Sequence, residues 1–349
     1  MWFVYALITT LAWGAADLFY KKGADEKDRF SHLKTSMIVG FVMGGHAIVT
    51  LITTGVEYDP VNLLKYLPVS IMYILSMTVG YFGLRYLELS ISSPIQNSSG
   101  AVTCILCLVL LGQTMDILSA AAVFLICAGV FLLGLLENMD IQAERKRLEA
   151  AGQGKEESKY RIGIVAFFMP ILYCIIDALG TFFDAYYLDD FETTPLVGVT
   201  EDSLEIVANV SYELTFLICG VILLIYMLIA ASLRPASSQS GARNNKKQNS
   251  SDDIGIAGVT GTENKGVLRS CNISRILAAA FETAGQATYV YAMSGNGAVA
   301  APMVASYSII SLALSRIFLK ERLTRWQYCA VVLVIIGIAA LGVVEGLAE

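Results

Sequence analysis

Charge is scarce in this chain: of 349 residues only 15% are charged against 56% hydrophobic, and mean hydropathy is +0.62. A soluble domain cannot cover its surface with so little polarity. There are two histidines and no His-Glu-x-x-His pair, no Gly-x-x-x-x-Gly-Lys-Ser/Thr loop and no Gly-x-Ser elbow. Zinc hydrolysis, work driven by ATP and serine chemistry therefore have no motif to rest on. Seven cysteines, an odd number placed in or at the ends of apolar runs, argue against a disulfide framework. Cys104 and Cys107 form a Cys-x-x-Cys with no second ligand pair nearby, so they read as small packing residues rather than a metal or redox centre. A basic leader is also missing before the first apolar run, with no small-residue cleavage site after it, so that run is expected to stay in the protein.

What is abundant is apolar sequence in runs of roughly 18 residues or more, each long enough to cross a hydrocarbon core of about 30 Å as a helix. There are ten: Trp2 to Tyr20, Leu33 to Thr54, Leu67 to Leu87, Pro94 to Leu111, Ile117 to Leu136, Ile162 to Leu188, Ile206 to Leu233, Ile273 to Met293, Ala300 to Leu319 and Tyr328 to Gly346. The expected class is an all-α integral membrane protein. Of its 24 Lys and Arg, 23 lie in or beside the loops that follow the odd-numbered spans, and only Lys65 lies on the other face. That other face carries Asp189, Asp190, Glu192, Glu201, Asp202 and Glu205 instead. Positive charge marks the cytoplasmic side, so both termini are expected outside a multi-pass cell membrane.

Two segments do not belong to the membrane. Residues 138–161 form a charged cytoplasmic connector, helical at least in part by its Ala, Glu, Lys, Arg and Leu content. Residues 234–270, rich in Ser, Asn, Gly and Lys, lack the apolar content to pack and read as a disordered cytoplasmic loop. Shifting the chain by 208 residues aligns Pro94 to Glu137 with Pro302 to Glu345 without a gap, with 11 of 44 positions identical, among them Ser98/Ser306, Gly129/Gly337 and Gly134/Gly342. The division expected is a first five-helix repeat over 1–137, the connector, and a second over 162–349 that contains the loop. Five is odd, so the second repeat sits upside down relative to the first, as in secondary transporters whose substrate site lies where the halves meet.

Trp13-Gly14 in the first span, the segment LLGQTMDILSAAAVFLICAGVFLLG and its duplicate FLKERLTRWQYCAVVLVIIGIAALG together resemble the EamA family of the drug/metabolite transporter superfamily. The second copy keeps the family's corner glutamate as Glu321, and the first has Gln113 there. The resemblance covers both five-helix halves, leaves out 234–270, and implies a membrane transporter without specifying its substrate. It also implies cytoplasmic termini, as many relatives have, whereas the charge asymmetry places them outside.

Ionisable groups inside spans are costly and therefore functional candidates. Glu282 is about 9 residues into its span, roughly 14 Å, with Gln286 and Tyr289 following at i+4 and i+7 on one helix face. Asp17 and Asp177 align at an offset of 160, each preceded four residues earlier by an aromatic, Trp13 and Tyr173. Asp17 has Lys21 at i+4 as a local partner. Asp177 heads a stripe with Thr181 and Asp184, the last read as an outer-rim residue. Glu213, with Tyr212 beside it, and His46 divide evenly between coupling and structural roles. A weaker stripe of small polar groups, Ser99, Thr103 and Cys107, recurs 208 residues on as Tyr307, Ser311 and Ser315, fitting a pathway lining or helix-packing contacts. Gly40/Gly44 and Gly342/Gly346 are Gly-x-x-x-Gly pairs, suited to close helix contacts and compatible with a homodimer face.

No Lys or Arg lies deep in any span, which disfavours phosphate or nucleotide-sugar cargo. Acids, hydroxyls, amides and aromatics suit an amine, an amino acid or a neutral polar solute, and aromatic faces attract a cation. Buried carboxyls can exchange protons. The function expected is secondary active transport of a small polar metabolite, proton-coupled, by alternating access. Its partners are the solute, protons and the bilayer, with no nucleic acid, cofactor or metal. A non-transporting receptor or assembly subunit would carry the same helices. An intramembrane enzyme pairing Asp17 with Asp177 is disfavoured, because inversion is expected to place them near opposite faces.

Overall fold

The computed structural model describes residues 1–23, 30–83, 98–150, 164–232, 272–318 and 324–348, in which every regular element is helical. In order these are α1 (Trp2–Gly23), α2 (Ser31–Thr54), a short α3 (Val61–Lys65), α4 (Leu67–Gly83), α5 (Ser99–Leu106) running on as a π turn (Cys107–Leu111), α6 (Ile117–Ala150), α7 (Ile164–Leu188), α8 (Leu204–Ser232), α9 (Ile273–Ala305), α10 (Tyr307–Phe318) and α11 (Arg325–Ala348). Seven helical stretches are long and apolar enough to cross a membrane. One of them, Ile273–Phe318, is 46 residues long and makes two passages, and two shorter apolar helices, Leu67–Met77 and Ser99–Leu111, complete the ten. Side chains such as Ile52, Val109, Phe124 and Trp326 are exposed on these helices because the surrounding medium is lipid.

Local sequence sets where the helices stop. Gly55 adopts φ 65° and donates its N–H to the Leu51 carbonyl, closing α2 with a left-handed residue that costs glycine nothing. Gly112, at φ 66°, ends the π turn in the same way, bonding Cys107. Asp116 opens α6 by accepting from the Leu118 and Ser119 N–H groups at 2.8 and 3.0 Å and from the Ser119 hydroxyl at 2.5 Å. Those bonds, the Ser119 hydroxyl first, hold its carboxyl below the usual value of 3.8. The cap is therefore complete above that value and lost only as pH falls through the lowered one. Beyond its membrane run, α6 continues into the charged connector as far as Ala150.

The repeat is visible in the packing. Between the eighth and ninth spans α9 breaks at Asn296 (φ −167°, ψ 95°). The ninth span breaks again at Ser306 (φ −73°, ψ 0°), the residue that aligns, at the offset of 208, with Ser98 just before α5. Helix α1 packs on α9 and α10, and its counterpart α7 packs on α4 and α5; α2 pairs with α8 and α6 with α11. At the α6–α11 contact a methyl group added to Gly129 would press on Val334 and the Ala330 carbonyl, and one added to Gly337 on Ile126 and the Ala122 carbonyl. Those partners differ by 208 throughout, the reciprocity that a two-fold axis produces. With five spans per half, that axis lies in the membrane plane.

The Gly40-x-x-x-Gly44 face is covered within the chain by Phe216, Leu217 and Gly220 of α8, so it does not offer a dimer surface. Close approach without a Cβ is what the motif supplies there. The start of the fourth span at Pro94, Arg85, the corner at Glu321, Cys271, the loop 234–270 and the rest of the connector lie outside the described residues.

Candidate functional site

A cavity of about 270 Å³ lies where the halves meet. One end is formed by Asp17 and Tyr20 of α1 and Glu282 of α9. Tyr289, seven residues beyond Glu282 and so roughly 10 Å higher, joins Tyr73 of α4 and Tyr212 of α8 at the other end. Tyr173, Asp177 and Thr181 of α7 form one side wall; Ser99 and Gly100 at the start of α5, with Ala301, Val304, Ala305 and Tyr307 around the break at Ser306, form the other. Broken helices at the repeat interface free backbone groups at membrane depth, which is tolerable only where they face a cavity.

The aromatic groups are locked by neighbours. Trp13 packs 5.0 Å from Tyr289 with the rings tilted by 37°, meets Tyr307 edge-on at 6.1 Å, and its indole N–H donates to the Glu282 carbonyl at 3.3 Å. It fits because residue 285 is glycine: a Cβ there would overlap the indole ring. Hydroxyl pairs Tyr73–Tyr289 at 2.8 Å and Tyr73–Thr181 at 3.0 Å tie α4, α9 and α7 together over the cavity. Asp17 accepts from Ser311 of α10 and Asp177 from Ser76 of α4 at 3.2 Å, with Ser99 of α5 also facing Asp177. Asp17 is thus met by the broken span of the opposite repeat, and Asp177 by α4 and α5. Glu282 faces Tyr20 and Asp17.

Of the residues singled out from sequence, the cavity collects Glu282, Asp177, Asp17, Tyr289, Trp13, Tyr173, Ser99 and Tyr307. Asp17 and Asp177, expected near opposite faces, line this one cavity because both project from helices that the repeat brings against the central breaks. Gln286 is buried and not in the wall: at 100° per residue it turns about 40° from Glu282, while Tyr289 returns about 20° the other way, toward the cavity. His46 and Glu213 lie outside it and hold each other, Nδ1 to Oε1 and Oε2 at 2.8 and 2.9 Å, across the α2–α8 contact. Thr103 bonds the Ala178 carbonyl at 3.2 Å and joins α5 to α7. Asp184 is no rim residue: it is 1% exposed and accepts from the Tyr66 hydroxyl. The side chain of Lys21 lies outside the described residues.

Sequence reading overlooked Tyr20, Tyr73, Ser76, Met77 and Gly100. Tyr20 is at i+3 from Asp17, a usable signal; Tyr73 and Ser76 have no charged neighbour on their helix to draw attention to them.

Comparison with known proteins fits this architecture. A crystal structure described only as "Crystal structure of protein" matches over 99% of this chain and 98% of its own, with a TM-score of 0.60 at 11% identity, a likeness of fold alone. No curated protein matches the chain. The model of the EamA-like transporter family matches residues 1–135 and 210–343, one segment in each half and well over half of the chain. α7, with Asp177, falls between the matched segments. The chain is therefore a multi-pass membrane transporter rather than an enzyme, and it belongs to the EamA-like transporter family.

Proposed function

We propose that this transporter carries a small organic cation, an amine or the ammonium group of an amino acid, in exchange for protons. The observation that supports this is the make-up of the cavity wall: three carboxyl groups, seven aromatic rings and, among the described lining residues, no Lys or Arg. Carboxylates supply the charge and ring faces the desolvated contact for an ammonium group, whereas an anion would be repelled by the carboxylates and find no cation in the described wall. A cavity of about 270 Å³ is at the lower end of ligand-site sizes, which favours a small metabolite. Glu282, which faces Asp17, is the coupling acid: it binds either a proton or the ammonium, and closure with neither leaves an uncompensated charge.

In this reading residues 1–137 and 162–349 rock against each other about the central breaks, with both termini on the extracytoplasmic side. Thermal-shift measurements on purified protein test the cation preference. Methylammonium and larger primary amines should raise the melting temperature, and sugar phosphates should not. Stabilisation by phosphates alone would refute it.

A further inference from the structure

Beyond the tyrosines that close the cavity lies an acid with no part in its wall. Asp184 is two helical turns past Asp177 on α7 and is 1% exposed. One carboxyl oxygen accepts from Tyr66; the other, Oδ2, has no partner among the described residues. The titratable groups facing it are Tyr66 next to α3, Tyr73 of α4, Tyr212 of α8 and Tyr289 of α9. Each is a neutral phenol, and among the described residues no cation acts on the acid, Lys65 of α3 being turned to the Pro195 carbonyl. Above it the chain is closed: Asn62 of α3 pairs with Val197 at 2.8 and 2.9 Å, Lys65 donates to the Pro195 carbonyl at 2.7 Å, and Tyr187 donates to the Lys65 carbonyl at 2.8 Å. An ionised Asp184 would be a buried charge with one neutral donor and an orphaned oxygen, an arrangement proteins avoid unless a cation accompanies it.

We propose that Asp184 is a second proton-carrying carboxyl of the pathway, loaded while the Tyr73–Tyr289 layer is closed and unloaded when that layer parts and admits water. The structure places it on the same helix face as Asp177 and Thr181, behind the hydroxyl pair that seals the cavity. A proton crossing the layer would have the Tyr289, Tyr73 and Thr181 hydroxyls as stepping points. The proposal builds on the reading of the cavity as a cation pathway, yet its test needs no transported solute.

Trp13, its ring 5.0 Å from that of Tyr289, reports the layer. The chain has three tryptophans, so Trp2→Phe with Trp326→Phe leaves Trp13 as the single indole. Its fluorescence in micelles should show a step as pH is varied. In a Glu282→Gln parent, which silences the acid beside the indole, Asp184→Asn should abolish that step, and Tyr66→Phe, which keeps the acid but removes its donor, should move the midpoint by about one pH unit. A parent without a step, or a step unchanged in Asp184→Asn, would overturn the proposal. Should Asp184→Asn fail to fold, Tyr66→Phe decides: a moved midpoint supports the proposal and an unmoved one overturns it. A step that depends on Asp184 in a protein that binds no amine would retain the proton site and refute the cation reading of the cavity.

Discussion

At the scale of single residues, three acids share one cavity but have different surroundings. Glu282 faces Asp17 and a phenol, Asp177 has Ser76 and Ser99, and Asp17 has Ser311. Hydroxyl donors steady an ionised carboxyl, so the acid beside a like charge is the one that most needs a proton or an ammonium. In vesicle uptake driven by a pH gradient, Glu282→Gln should abolish accumulation, Asp177→Asn should reduce it, and Asp17→Asn should reduce it least; the reverse ranking would move the coupling role to α1 or α7. His46 and Glu213 serve a different end. Glu213 is fully buried and the His46 side chain 39% exposed, so His46→Ala strands a buried carboxyl with only Asn209 facing it. Allowing for the solvent that screens His46, the loss should be about 1–2 kcal/mol, read as a lower melting temperature in detergent. An unchanged melt would show that Asn209 suffices.

At the scale of elements, the breaks in the helices are held by side chains from other helices. Gln113 accepts from the Ala298 N–H at 2.9 Å, just past the break at Asn296, and donates to Asp189 at the end of α7 at 2.7 Å. Asn296 itself accepts from the Val299 N–H at 3.3 Å, so the restarted helix is capped twice. Gln113→Ala should cost about 1 kcal/mol, as lost caps do. Gln113→Glu keeps the acceptor but sets a carboxylate against Asp189, and its melting temperature should fall at neutral pH and recover near about pH 4, where the pair shares a proton. Equal melting at both pH values would mean that the bridge carries no load. This corner is where the chain departs from its own duplicate Glu321, and a glutamine, able to donate, is what Asp189 requires. The sequence supplied the identity of Gln113 but not its partner 76 residues away.

Across the whole molecule, hydropathy and the 208-residue repeat made ten passages and their inversion legible before any coordinates. Periodicity put Glu282 and Tyr289 on one helix face and an aromatic one turn before each of Asp17 and Asp177, but it did not bring those helices to one cavity. It failed at Gln286, where 40° of rotation separates wall from core, and at Asp184, whose depth depends on Tyr66 and the α3 cover rather than on its distance from a helix end. It also missed the meaning of Ser306: a serine carries no sign that the helix breaks there. Orientation rests on charge alone, with 23 of 24 Lys and Arg on one side. A reporter fused after Glu349 should read extracytoplasmic and one inserted near Gln248 cytoplasmic; a cytoplasmic signal at residue 349 would invert the molecule without altering the site.

The central claim is that the cavity selects a cation and exchanges it for protons. Purified protein in vesicles, loaded acidic inside and placed in neutral medium, should accumulate labelled methylammonium beyond protein-free controls corrected for passive trapping. Accumulation should collapse in Glu282→Gln while a sugar phosphate stays excluded throughout. Uptake of methylammonium no greater than in protein-free vesicles, together with entry of the sugar phosphate, would contradict the account.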